Sequence, residues 1–128
     1  MYCDPSNYAR LQADHAAMVS ALAKPGAEIV LTAENAHLLH MTLGISGEAG
    51  ELIDAVKRMA IYGKELDMKN VVEDLGDLEF FLQGLRAGLG ISRSETLRAN
   101  MEKLSKRYPA GIFTNTDTIA RADKVGER

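Results

Sequence analysis

The chain has 128 residues, 46% of them hydrophobic and 26% charged, with a net charge of −3, an ordinary globular balance long enough for one domain with its own core. That balance lacks the basic face of a general nucleic-acid binder. No apolar run reaches the ~18 residues of a membrane span, and the start "MYCDPSNYAR" lacks the basic and apolar stretches of a signal peptide. The only cysteine, Cys3, has no internal partner, so a free thiol in a reducing cytoplasm is expected.

Nearly every segment repeats its apolar residues at helical period. Asp4 before Pro5 resembles a cap with proline at the first helical position. From there Tyr8, Leu11, Met18 and Leu22 define a first helix that "KPG" at 24–26 stops. "AEIVL" is short and apolar but has no second strand to pair with, so it reads as a linker. A second helix is expected from just after Thr32 to about Tyr62, with Gly63 as its stop. Its three internal glycines, Gly44, Gly47 and Gly50, each cost ~1 kcal/mol relative to alanine and suggest a break or a close approach. A third helix is expected over about Met68–Leu89, ended by Gly90, and a fourth begins at the capping box "SRSE" of Ser92 and stops at Pro109. Residues 109–128 read as a polar, mobile tail with a short helix near Asp117–Asp123. The expected fold is therefore all-α, a compact bundle of about four main helices over a single domain.

At 100° per residue the faces can be computed. In the second helix Leu38, Ile45, Ala49, Leu52 and Val56 make an apolar stripe, while Glu48 and Glu51 fall at ~280° and ~220° from Leu38. His37, His40 and Gly44 share the acids' sector; there Gly44 would leave room for a ligand, whereas Gly47 and Gly50 lie off it and would ease packing or a bend. The third helix repeats the pattern, with Val71, Leu75, Leu78, Leu82, Leu85 and Leu89 as its stripe and Glu73, Asp74 and Asp77 beside it. On the fourth, Asn100, Lys103 and Arg107 group between ~240° and ~300° from Leu97. Two acidic faces and one cationic face suit a polyphosphate carrying Mg²⁺, since that ion takes oxygen ligands and is shared between carboxylates and substrate phosphates.

In order and spacing, "GISGEAGELIDAVK" (44–57), "EDLGDLEFFL" (73–82) and "NMEKLSKRYPAGIF" (100–113) resemble the MazG-like all-α nucleoside triphosphate pyrophosphohydrolases, over roughly residues 36–121. The resemblance implies an Mg²⁺-dependent cleavage between the α- and β-phosphates by a homodimer or dimer of dimers; the oxygen-dominated donor set would also take Mn²⁺ as a substitute ion. Glu48, Glu51 and Asp77 match its metal-binding acids. The remaining acid falls on Asp74, where the family usually has glutamate, so either Asp74 acts through water or the neighbouring Glu73 replaces it. Asn100 and Lys103 match phosphate-contacting positions, Arg107 and Tyr108 match less closely, and Lys57 and Asp54 have frequent counterparts.

On this reading Glu48, Glu51, Asp74 and Asp77 form the catalytic and metal-binding set, and one of them serves as base. Asn100, Lys103, Arg107, Lys57 and His40 form the substrate-binding set. Asp54 reads more readily as a surface ion pair with Lys57 and Arg58, three and four residues on. His37 and His40 are balanced between base or sugar contact and a structural hydrogen bond. The alternative to a cytoplasmic enzyme is a non-catalytic helical oligomer that binds nucleotide or metal as a regulatory module.

Overall fold

A computed structural model describes residues 5–126; among them every regular element is helical. The expectations for Cys3 and for Asp4 as a cap lie outside the described residues. The elements are α1 (Pro5–Leu22), a 3-10 turn (Gly26–Glu28), α2 (Ala33–Tyr62), α3 (Met68–Leu89), α4 (Arg93–Arg107), α5 (Asn115–Ala120) and a second 3-10 turn (Ala122–Lys124). The four main helices stand where the sequence places them, and "AEIVL" has no strand character. The chain divides into two compact units, Met1–Thr32 and Ala33–Arg128. In the first, α1 keeps Leu11, Met18 and Leu22 exposed.

The helix ends follow local chemistry. Gly63 takes φ +62°, and its N–H donates to the Met59 carbonyl at 3.1 Å, closing α2. Asp67 caps α3 by accepting the Asn70 backbone N–H at 3.1 Å, and Gly90 ends it in the left-handed conformation. Ser92 and Glu95 form the expected capping box, with the Ser92 N–H donating to Glu95 Oε2 at 2.7 Å and the Glu95 N–H to Ser92 Oγ at 3.2 Å.

The second unit is built on the antiparallel hairpin of α2 and α3. Its packing seam is made by glycines. A Cβ on Gly44 would overlap the Phe81 ring, one on Gly84 would meet Met41 Sδ, and one on Gly88 would crowd His37 and Leu38. These pairs share one register, stepping alternately by four and three residues up α2 (37, 41, 44) as they step down α3 (88, 84, 81). Such a step keeps one narrow line of each helix facing the other. The glycines bring no break: α2 runs without interruption through all three.

Two expectations are corrected here. Gly44 makes no room for a ligand, because Phe81 fills the space beside it. Gly47 and Gly50, expected to ease packing, have nothing within 4 Å of where a Cβ would stand. The apolar stripes lie one residue to the side of this line: Leu38, which crowds Gly88, and Ile45, Ala49, Leu52, Val71, Leu78, Leu82 and Leu85 are half-buried, Val56, Leu75 and Leu89 are exposed, and Met41 is the buried apolar residue among those described. Periodicity reveals which face seeks cover, not which element provides it.

The segment after Pro109, expected as a mobile tail with a short helix, has that helix as α5 and is tied to α4. Arg107 donates through Nε and Nη2 to the two oxygens of Asp123, both at 2.8 Å, and the Asp123 side chain is 1% exposed. The Tyr108 and Thr118 hydroxyls hydrogen-bond at 3.0 Å, and Thr114 caps α5 by accepting the Asp117 N–H at 3.0 Å.

Candidate metal centre

Extending the α2–α3 register past Gly44 and Phe81 brings the acids onto the same line: 48 and 51 on α2 against 77 and 74 on α3. The seam thus changes character along its length. One half is glycine, methionine and aromatic; the other is carboxylate. Glu48, Glu51 and Asp74 each offer an oxygen within 4.8 Å of the others. Asp74 is buried at 4% exposure, Glu48 is half-buried and Glu51 is exposed, so the cluster opens to solvent on one side. Asp77 stands outside this triad but close enough for its charge to act on Glu48.

Asp74, not Glu73, is the acid that α3 turns into the cluster. Glu73 sits one residue off the seam, exposed, with Lys69 at 3.6 Å. The Asn70 side-chain amide donates to Asp74 Oδ2 at 3.1 Å. Asp54 is an ion-pair hub, with Lys57 at 2.6 Å and Arg58 at 2.5 Å, both of which hold its carboxyl below the usual range. That occupies Lys57, which the sequence placed in the substrate set.

The other expected substrate contacts are dispersed. His40 packs edge-on against Phe81 with centroids 6.1 Å apart, and His37 Nε2 donates to the Gly84 carbonyl at 3.1 Å. Both histidines therefore contact α3. Asn100 and Lys103 are exposed on α4, which packs on α5 and the last turn and reaches α3 through the Arg93–Glu79 ion pair at 3.3 Å, and neither has a hydrogen bond or ion pair among the described residues. Arg107 is committed to Asp123. Three of the acids come together, while Asn100, Lys103 and Arg107 line neither their cluster nor the cleft beside it.

Sequence reasoning missed the space beside the acids. A cleft of about 770 Å³ is lined by Gly47, Gly50, Ala55 and Asn70, by the cations Arg58 and Lys64 and by the acids Glu51, Asp54, Glu65 and Asp67, within the size range of small-molecule sites. Glu51 belongs to both the cleft and the acid cluster. The two glycines provided a signal: open space at positions where helix propensity favours a side chain.

The electrostatics mark a site short of positive charge. Desolvation, then repulsion from Glu51, Asp77 and Asp74, raises the Glu48 carboxyl above its ordinary value of 4.5. Three carboxylates with no nitrogen or sulfur donor suit a hard cation such as Mg²⁺ or Mn²⁺. The residues fit the ion. Because folding raises the proton affinity of Glu48, its favourable contribution is present below pH 4.5 and is lost as pH rises through the raised value. The metal-free protein should therefore gain several degrees in melting temperature when Mg²⁺ is added at pH 7.5. That gain should vanish near pH 4, where protons replace the cation. Glu48→Gln should raise the metal-free melting temperature at pH 7.5 and abolish the gain, as read by scanning fluorimetry.

Residues 37–112 match the family described as the MazG nucleotide pyrophosphohydrolase domain. No curated protein and no solved structure gives a significant match. The match covers more than half of the chain and includes all four acids, and the chain belongs to the MazG nucleotide pyrophosphohydrolase family.

Proposed function

We propose that this protein hydrolyses a nucleoside or deoxynucleoside triphosphate between the α- and β-phosphates, in nucleotide-pool control or house-cleaning in the cytoplasm. The observation that carries the reading is the convergence of Glu48, Glu51 and Asp74 oxygens within 4.8 Å from two facing helices. These three acids, with Asp77 beside them, would hold Mg²⁺. A bound Mg²⁺ supplies charge neutralisation on the phosphate oxygens and acidifies water. Glu51, the exposed member, faces the cleft in which the triphosphate would lie; Lys64 lines that cleft, and so does Arg58, which like Lys57 is paired with Asp54. One of the carboxylates accepts the proton of the attacking water. The water oxygen bonds to the α-phosphorus, the α–β anhydride bond breaks, and the monophosphate and pyrophosphate leave.

The half-exposed leucine stripes and the exposed Leu97 and Met101 of α4 support assembly as a homodimer or dimer of dimers. In such an assembly Asn100 and Lys103 of one copy would reach the phosphates held by another. The second reading is a non-catalytic nucleotide- or metal-binding module. It is favoured by Arg107, which is held by Asp123 instead of being free for phosphate. Pyrophosphate release across a panel of NTPs and dNTPs, with and without Mg²⁺, separates the two. Mg²⁺-dependent release from at least one nucleotide supports the enzyme; binding with no release from any of them supports the module. No transmembrane candidate occurs among the described helices.

A further inference from the structure

The geometry points to Asn70 as the positioning residue of the metal centre, holding the Asp74 carboxylate in place by donating its side-chain amide to Oδ2. This rests on the acid cluster being the metal site proposed above. Asp74 is one methylene shorter than Glu48 and Glu51 opposite, so it has less freedom to seek a cation and must be aimed. It is also buried as a whole residue, at 4% exposure. A buried carboxylate oxygen without a donor is costly, and the Asn70 amide at 3.1 Å satisfies one of its two oxygens. The other, Oδ1, has no donor among the described residues and is not sealed from solvent. It remains free for an ion.

Asn70 is itself held. It continues the seam of α3, four residues before Asp74 as Asp74 lies three before Asp77. Its backbone N–H is fixed by the Asp67 side chain at 3.1 Å. Asp67, Asn70 and Asp74 thus form a relay across the first turns of α3, in which the helix cap orients the donor and the donor orients the acid. Asn70 also lines the cleft that Glu51 shares with the cluster, so this bond lies where the ligand space meets the acids. An amide that merely decorated a helix face would not be half-buried with its bond directed at the buried acid of the cluster.

Outer hydrogen-bond partners of this kind carry about 10–100-fold in metal affinity. The test is a titration of the full chain with Mn²⁺ alone, without nucleotide, with free ion read by electron paramagnetic resonance. Asn70→Ala should bind Mn²⁺ about 10–100-fold more weakly than the parent. Its metal-free circular-dichroism melt should stay close to the parent, because the Asp67 cap uses only the backbone of residue 70. Asn70→Leu keeps the branched heavy-atom skeleton and removes the donor, so it should show the same loss and carries the test if the alanine variant folds poorly. Asn70→Gln, which keeps an amide, should recover most of the affinity. Parent-like Mn²⁺ affinity in both Asn70→Ala and Asn70→Leu overturns the positioning role and leaves the metal site standing, as does a loss in Asn70→Gln equal to that in Asn70→Ala. Parent protein that binds Mn²⁺ no better than Glu51→Gln overturns the metal site itself, and the positioning role with it.

Discussion

Glu51→Gln should abolish Mg²⁺-dependent pyrophosphate release, with a loss of about a thousandfold or more, equivalent to roughly 4 kcal/mol of transition-state stabilisation. The substitution preserves shape and removes the charge that belongs both to the acid triad and to the cleft. Folding should survive, since Glu51 is exposed and its loss relieves repulsion on Glu48. The metal-free variant should melt at or above the parent temperature. Asp77→Asn should behave in the same direction. Steady-state pyrophosphate release, measured beside a circular-dichroism melt, checks both variants; a collapse of helicity would assign the acid to the fold, and unchanged turnover would remove it from the site.

Gly44→Leu should destabilise the protein by about 3 kcal/mol, the upper end of the usual cost of overpacking. Even the Cβ would overlap the Phe81 ring, and a ring packed between two helices cannot swing clear as a thioether tip can. Gly47→Leu is the comparison. Nothing lies within 4 Å of its Cβ, so it should gain the helix-propensity difference of roughly 1 kcal/mol. Denaturant melts of the two variants measure the contrast. Gly44→Leu should also weaken Mg²⁺ binding, because spreading the hairpin at 44 and 81 separates the acids one turn further along. Equal stability of the two variants would show that the register does not depend on Gly44.

The helices were legible because their signals are local. Gly63, Gly90, Pro109 and the Ser92–Glu95 capping box act on the residues beside them, and α2, α3 and α4 begin and end within a residue or so of the expected positions. The acids were legible too, because two pairs at a spacing of three residues must each share a helix face. Three things were not legible. Glu73 and Asp74 are neighbours in sequence, so only the position of α2 decides that Asp74 turns inward while Glu73 meets Lys69. Arg107 fits a phosphate contact on the helical wheel, yet it is claimed by Asp123, sixteen residues later. The roles of the glycines were reversed, since a missing side chain looks the same whether a neighbour fills the gap or leaves it open.

By itself, the sequence determined that this protein is helical, where its helices start and stop, and that two of them carry paired carboxylates. Local hydrogen bonding, capping and period depend on nothing further away than a turn or two of chain. Only the tertiary structure decided which line of α2 meets which line of α3. That choice rests on steric fit between Gly44 and Phe81, Gly84 and Met41, and Gly88 and His37, which depends on residues tens of positions apart. With that register set by packing, Glu48, Glu51 and Asp74 converge on one point, and the acids become a site.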